Sequence, residues 1–190
     1  SWSNDQVIDP PSEIIYLQDE ETSKTWSIGL NPMPDNKNYE ITYGFGYAKY
    51  QHTSMNVEQN LTVFVPKKDS VKLSVLELIN LEPKKKKLRL FYYIKPVLGE
   101  NDIKNSNNLT LQYKENSNML IVKNKVNTTF KQIVYISSNE KIKSYTGSRE
   151  FFLGNKNLSN PEALEKIILN NKNVLGEDSV IVSQIDIELE

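Results

Sequence analysis

Residues 60–79 read NLTVFVPKKDSVKLSVLELI, and this stretch decides the fold class. Two segments rich in Val, Leu and Ile, Asn60 to Val65 and Val71 to Ile79, lie on either side of the polar sequence PKKDS at 66–70. Apolar segments of this length, separated by turn-forming residues, are typical of two antiparallel strands joined as a hairpin. The stretch therefore predicts a β-hairpin.

The same pattern recurs along most of the chain. Residues 13–17 and 25–28 flank a polar segment and predict a second hairpin. One short helix is predicted near 161–171, because Asn160 can cap it, Pro161 suits its first position and an apolar stripe follows. Together these signals indicate a single all-β domain over residues 1–190, an antiparallel β-sandwich. Further strands are predicted at 88–98, 109–111, 119–122, 130–136 and 180–189.

A strand is also predicted for residues 39–50, where aromatic and polar residues alternate. Tyr43 and Tyr47 would then share one face of that strand, and Gly44 and Gly46 would share the other. Two glycines on one face leave it bare, which suits a bulge or the close approach of another chain. We therefore expect the glycine face to be covered by another domain or subunit.

The charge balance argues against several classes of partner. The chain carries 23 basic and 24 acidic side chains, so its formal net charge of −1 gives no field that would attract nucleic acid. The lysine run at 84–87 is more simply a solvated turn than a polyanion site. No segment of about 18 apolar residues is present, and no signal-peptide pattern opens the sequence. We expect no nucleic-acid partner, no membrane contact and a cytoplasmic location.

Catalytic and metal-binding chemistry has few residues to use. The chain has no cysteine and a single histidine, His52, which excludes thiolate nucleophiles, Cys-based zinc sites and all-histidine metal sites. His52 is most simply a surface or strand-end residue. Acidic pairs such as Glu20/Glu21 and Asp186/Glu188 are more simply solvated than placed on opposite sides of a sugar, as glycosidase carboxylates must be. The residues alone therefore predict no catalytic group and no metal ligand.

Short motifs that recur in one enzyme family follow one another along the chain. They are WSND at 2–5, DPPSE at 9–13, IYL at 15–17, DEET at 19–22, YGFGY at 43–47, HT at 52–53, EQ at 58–59, LTVFVP at 61–66, FFLG at 151–154 and PEAL at 161–164. With these motifs the chain resembles glycoside hydrolase family 94, most closely its cyclic β-1,2-glucan synthases and β-1,2-oligoglucan phosphorylases. The resemblance is strong over residues 2–99 and 149–190 and weak between them.

This resemblance implies a supersandwich of galactose-mutarotase-like type, the domain that precedes a catalytic (α/α)6 barrel in the family. The family's general acid is an aspartate on that barrel, so the resemblance assigns no catalytic residue to this chain, and the chain alone is expected to be inactive. The sequence does not open with Met and ends inside an alternating pattern at 185–190. We therefore expect a piece excised from a larger enzyme.

The resemblance also implies what the parent enzyme does. It would form or break a β-glucosidic bond as a glycosyltransferase or inverting phosphorylase, with inorganic phosphate as co-substrate and no metal or organic cofactor. The expected partners are a β-glucan or oligosaccharide, the catalytic barrel and a second subunit. An independent carbohydrate-binding module is the alternative, and a lone enzyme is disfavoured because no acid–base pair stands out. Because sugar rings stack on aromatic side chains, the candidate carbohydrate contacts are Trp2, Tyr43, Tyr47 and His52.

Overall fold

The computed structural model describes residues 11–99, 106–126, 133–174 and 178–190. Antiparallel strands dominate these ranges, and one short α-helix, α1 (Arg149–Leu153), accompanies them. The strands are β1 (Glu13–Asp19), β2 (Thr25–Ser27), β3 (Tyr39–Gly44), β4 (Tyr47–Ser54), β5 (Val57–Phe64), β6 (Leu73–Asn80), β7 (Lys86–Ile94), β8 (Leu109–Lys114), β9 (Met119–Asn124), β10 (Ile133–Ser137), β11 (Ser144–Ser148) and β12 (Ser179–Leu189).

The strands form three sheets in which every ladder is antiparallel. The five-stranded sheet has the order β11-β12-β7-β1-β2, the four-stranded sheet β3-β4-β5-β6 and the three-stranded sheet β10-β9-β8. In the two smaller sheets, neighbouring strands follow one another in the chain. The turn between β4 and β5, for example, contains Met55 and Asn56 with φ angles of 50° and 57°, as in the type I′ turn that matches strand twist.

The five-stranded sheet is the central layer and is buried on both faces. Alternate residues of β7 point to opposite sides, so Leu88 and Leu90 pack against the four-stranded sheet whereas Phe91 and Tyr93 pack on the side of α1. Ile94 has the same parity as Leu88 and packs against the three-stranded sheet. The two smaller sheets therefore lie side by side on one face of the central sheet, and α1 covers the other face.

The structure confirms the all-β antiparallel fold and the hairpins that most clearly predicted it. Residues 60–79 fold as β5 and β6, with Phe64 opposite Leu73. The hairpin predicted around residues 18–24 is β1 with β2. The strand predicted at 130–136 is confirmed from Ile133 onward, and residues 130–132 lie outside the described ranges.

The helix predicted near 161–171 is wrong in position and length. Glu162–Glu165 forms a single 3-10 turn, and Lys166 then adopts an extended conformation with φ −94° and ψ 148°. The backbone N–H of Leu169, which a continuing helix would pair internally, donates instead to Ser144 Oγ in the central sheet at 3.0 Å. Tertiary hydrogen bonding therefore overrides the local helix signal.

Two neighbouring elements were not predicted. All five residues of β11 are buried, but the sequence SYTGS is small and polar and lacks the apolar alternation by which strands are recognised. Helix α1 follows directly, and Ser148 Oγ caps it by accepting a hydrogen bond from the backbone N–H of Phe151 at 3.2 Å. A capped helix of five residues leaves little periodicity for sequence analysis to detect.

The strand predicted at 39–50 is two strands, because the chain reverses at Phe45 and Gly46. Gly46 has a φ of +82°, a conformation that favours glycine. Tyr47 therefore lies opposite Gly44 on one face of the sheet and Tyr43 lies opposite Ala48 on the other, so the prediction that Tyr43 and Tyr47 share a face is wrong. A Cβ atom at Gly44 would overlap the Tyr47 ring. The expectation that another chain covers Gly44 is wrong, since the Tyr47 ring occupies that space.

Lys86 is buried at the start of β7, unlike the other lysines of the 84–87 run, which are exposed. Its side chain is 6% exposed, and Nζ lies 3.4 Å from Asp19 Oδ2 and 3.4 Å from Glu82 Oε2. The ammonium also donates to the carbonyl oxygen of Met55. The expected solvated turn is therefore correct for Lys84 and Lys85, whereas Lys87 is exposed but lies in β7. It is wrong for Lys86, which the alternation of β7 directs inward.

Candidate carbohydrate-contact surface

The β3–β4 hairpin ends in three exposed aromatic side chains, and we call residues 43–47 the hairpin tip. Tyr43 is 74% exposed, Tyr47 is 44% exposed, and Phe45 in the turn is fully exposed. Elsewhere in the same domain Tyr16 and Trp26 are completely buried. Aromatic side chains gain most of their energy in cores and interfaces. The hairpin tip is therefore a surface with aromatic area available to a ligand or to another protein domain.

The four-stranded sheet has an outer face that points away from the central sheet, and Tyr47 lies at one end of it. Residues directly opposite each other on neighbouring strands share a face, so Tyr47 lies beside Phe64. Four residues further along β4, Gln51 lies between Glu40 and Asn60. The outer face thus has an aromatic end and a polar end.

A shallow groove crosses the polar end of this outer face. It is lined by residues 37–40 and 51–53 together with Glu58 and Asn60, and we call it the polar groove. Gln51 Nε2 donates to Asn60 Oδ1 at 2.9 Å, and Asn60 Nδ2 donates to Glu58 Oε1 at 3.1 Å. Two amides and a carboxylate are thereby held in one hydrogen-bonded row across β4 and β5.

Sequence analysis missed the polar groove. The signal for it was the period-two placement of polar residues in β5, where Glu58, Asn60 and Thr62 alternate with the inward-facing Gln59 and Leu61. The alternation marks an exposed strand face, and its pairing with β4 brings those polar residues beside Gln51. Identifying the groove therefore required the strand register, which the merged 39–50 strand prediction did not provide.

His52 lies next to the polar groove with its ring buried. Its side chain is 0% exposed and stacks on Tyr39 with 3.7 Å between ring centroids. Nδ1 lies 2.8 Å from Asn38 O, and Nε2 lies 2.9 Å from Asp35 Oδ1. The expected surface position is therefore wrong. Because the His52 ring is buried, a sugar could not reach it, and we do not propose His52 as a carbohydrate contact. Its ring instead contacts residues 35–39, a segment that contributes one wall of the groove.

The carboxylate of Asp35 is enclosed but kept ionised. Its side chain is 1% exposed, and burial alone would raise its pKa. The neighbouring Ser54 hydroxyl, the backbone N–H of Lys37, which donates to Asp35 Oδ1 at 3.2 Å, and the adjacent His52 ring outweigh burial, so the pKa of Asp35 lies below its usual value. The Asp35–His52 pair therefore acts as a fixed connection between the groove wall and β4.

The acidic pairs considered from the sequence do not face each other across a cleft. Glu20 Oε1 lies 3.0 Å from Arg89 Nε, and Glu21 Oε2 lies 2.8 Å from the ammonium of Lys84. In the described ranges no group of three or more His, Asp or Glu side chains is placed to hold a metal ion. Trp2 lies outside the described residues.

Among the helices that the structure describes, none is both long and apolar enough to cross a membrane.

The fold defines the class of this protein: an all-β supersandwich in which two small antiparallel sheets pack on a central one. Comparison with known families agrees, since the glycosyl hydrolase 94 supersandwich domain matches residues 1–190. The chain therefore belongs to this family.

Curated relatives are longer proteins that contain a matching segment. The N,N'-diacetylchitobiose phosphorylase of Vibrio furnissii is 27% identical over 154 residues, which cover 77% of this chain and 19% of the relative. The cyclic beta-(1,2)-glucan synthase NdvB of Rhizobium meliloti (strain 1021) is 26% identical over 159 residues, covering 80% of this chain and 6% of the relative. The solabiose phosphorylase of Paenibacillus borealis is 25% identical over 80 residues, covering 42% and 10%. The chain thus matches at most about a fifth of these relatives.

Proposed function

We propose that this chain is the non-catalytic, carbohydrate-associated sandwich domain of a larger enzyme that forms or breaks β-glucosidic bonds. The family match over residues 1–190 supports the domain assignment, and relatives named as phosphorylases and as a glucan synthase support the type of chemistry. The parent enzyme would use inorganic phosphate as co-substrate and no metal or organic cofactor. The catalytic groups would lie on a separate (α/α)6 barrel.

The observation that carries this proposal is the hairpin tip. Tyr43 and Phe45, two positions apart in the chain, both expose large aromatic surfaces, although the domain has a core that buries comparable rings such as Phe91 and Tyr93. Exposed aromatic area of this kind is typical of an interaction surface. We propose that Tyr43 and Phe45 of the hairpin tip pack against the catalytic barrel of the parent enzyme or against a second subunit.

Turnover by the chain itself tests the non-catalytic role. The purified chain is incubated with β-1,2-gluco-oligosaccharides and inorganic phosphate, and release of glucose 1-phosphate is followed. We expect no release above background. Activity that persists through further purification and co-elutes with the chain would overturn the non-catalytic assignment.

Substitution of Phe45 tests the packing role. In the full-length parent enzyme, Phe45→Ser should lower the melting temperature, because the packing of the Phe45 ring against its covering partner would be lost. In the chain alone, where this ring is exposed, the same substitution should leave the melting temperature unchanged. Tyr135→Ser is the matched control, since Tyr135 is a 56% exposed aromatic residue on another sheet. Equal effects of the two substitutions on the full enzyme would contradict a specific role for the hairpin tip.

An independent carbohydrate-binding module is the second candidate, and the polar groove is the observation that favours it. The two candidates differ in the affinity expected of the chain alone. A domain that supplies only the edge of a sugar site should bind β-1,2-gluco-oligosaccharides in the millimolar range, which corresponds to about −4 kcal/mol. Micromolar binding by isothermal titration calorimetry would favour the independent module.

A further inference from the structure

We propose that the outer face of the four-stranded sheet binds a segment of a neutral oligosaccharide, with the polar groove holding hydroxyl groups and Tyr47 stacking on a ring further along the chain. The nature of the glucan rests on the proposed function. The location and the ligand class rest on the side chains of the face itself.

The polar groove is built to recognise hydroxyl groups. A primary amide has two N–H donors and one carbonyl acceptor. Within the hydrogen-bonded row, Gln51 and Asn60 each use one donor, so each retains a second N–H, and Gln51 retains its carbonyl oxygen. Glu58 adds carboxylate oxygen atoms that accept from hydroxyl groups. Because the row is already held together, little side-chain freedom would be lost on binding.

The charge of the polar groove favours a neutral ligand. Lys37 supplies one positive charge, and Glu40 and Glu58 supply two negative charges. A phosphate or polyanion site would require clustered Lys and Arg side chains, whereas this lining has one lysine and no arginine. An uncharged, hydroxyl-rich molecule matches this mixture of amides, carboxylates and Thr53.

Tyr47 provides the aromatic part of the same surface. Its ring lies over Gly44, which places it against the sheet, and 44% of the residue stays exposed. Gln51 lies four positions after Tyr47 in β4, a distance of about 13 Å at the rise of a β-strand. This spacing accommodates an oligosaccharide of a few rings rather than a monosaccharide, so affinity should increase with chain length.

The test is an NMR titration of the isotope-labelled chain. The probes are β-1,2-gluco-oligosaccharides of two to six units, with glucose and inorganic phosphate as separate titrants. We expect saturable amide shifts in β3, β4 and β5 that strengthen with oligosaccharide length, and no comparable shifts with phosphate. Shifts confined to other sheets, no shifts up to the solubility limit, or equal shifts with phosphate would each overturn the proposal.

Matched variants locate the contact. Glu58→Gln keeps the shape of the hydrogen-bonded row and removes its charge, whereas Gln51→Ala removes one amide. Each substitution should weaken binding about tenfold, as expected for a lost hydrogen bond that involves a charged or fixed polar group. Gln112→Ala, on an exposed position of β8, should leave binding unchanged. Tyr47→Phe should retain binding that Tyr47→Ala loses. Unchanged affinity in both Glu58→Gln and Tyr47→Ala would reject the site.

This test is independent of the proposed function. Absence of sugar binding with absence of glucose 1-phosphate release would reject the groove and leave the non-catalytic domain assignment intact. Groove binding accompanied by glucose 1-phosphate release would confirm the groove and reject the non-catalytic assignment.

Discussion

Two aromatic groups in this domain have opposite surroundings. Tyr16, Tyr93 and Phe152 form a buried cluster, in which Phe152 lies 6.1 Å from Tyr16 and 5.4 Å from Tyr93 between ring centroids. The hairpin tip also has closely spaced aromatic residues on strands and a turn, but they are exposed.

The difference lies in what covers each group. Helix α1 contributes Phe152, and Leu164 in the following 3-10 turn also packs on the inner cluster, so its rings are enclosed by residues distant in sequence. Within the described ranges no element packs over the hairpin tip in the same way. Strand propensity indicates a pleated, half-buried surface. It does not say whether the covering layer comes from the same domain or from another.

The largest effect that separates the two groups should be on stability. Phe152→Ala should lower the free energy of unfolding by about 3–5 kcal/mol, because it removes a fully buried ring and leaves a cavity. Phe45→Ala should change it by less than about 0.5 kcal/mol, because that ring is fully exposed. Urea unfolding followed by intrinsic fluorescence measures both values. A loss of several kcal/mol in Phe45→Ala would mean that the hairpin tip belongs to the core.

The same contrast between covered and exposed side chains should hold for charges. Lys86→Ala should lower the free energy of unfolding by about 3 kcal/mol, because it leaves the buried carboxylate of Asp19 without its cation. Lys85→Ala is the matched control. Lys85 is the neighbour of Lys86 in sequence, but its own side chain is 59% exposed and pairs with Glu188 and Glu190 in solvent. We expect the control to leave urea unfolding essentially unchanged. Similar losses in both variants would contradict the burial argument.

Asp19 adds a pH dependence to the covered region. Burial alone would raise its pKa, but hydrogen bonds from the backbone and hydroxyl of Thr22, together with the Lys86 ammonium, lower the pKa of Asp19 below its usual value of 3.8. Because the folded pKa is the lower one, this stabilisation is complete above the unfolded pKa and is lost as the pH falls through the folded value. The free energy of unfolding should therefore decrease below about pH 4.

Asp19→Asn tests this assignment. The variant should be less stable than the unaltered chain at pH 7, and the difference should shrink as the pH is lowered to 3, because protonation then removes the same charge from the unaltered chain. Asp69→Asn, in the exposed turn after β5, is the matched control and should leave the free energy of unfolding at pH 7 essentially unchanged. Urea unfolding at several pH values from 7 to 3 measures this difference for Asp19→Asn. If Asp19→Asn were less stable than the unaltered chain by the same free energy at every pH, the Asp19 carboxylate would be excluded as the source of the pH dependence.

Local signals and long-range contacts explain which features the sequence predicted. The β5–β6 hairpin was predictable because Pro66 to Ser70 interrupts two apolar runs, all within 20 residues. The buried Asp35–His52 pair was not, because nothing local distinguishes an enclosed histidine from an exposed one. β11 was missed because its small polar residues are buried by distant strands rather than by their own pattern. At the candidate surface, Tyr43 and Tyr47 were selected from residue type, but the turn that places them on opposite faces was not predicted. The Gln51–Asn60–Glu58 row required the register of two strands.

The smallest expected effect concerns Gly44 and the way the hairpin tip supports its own surface. Gly44→Val should lower the free energy of unfolding by no more than about 1 kcal/mol. Valine favours strands, but its Cβ would meet the ring of Tyr47, a largely exposed side chain that can rotate away. Tyr47→Ala removes that ring, so Gly44→Val should cost less in the Tyr47→Ala background than alone. Urea unfolding of the four proteins gives this coupling as a double-mutant cycle. Additive losses would show that Tyr47 does not occupy the space over Gly44, and the hairpin tip would then lack the internal support that keeps its tyrosine against the sheet.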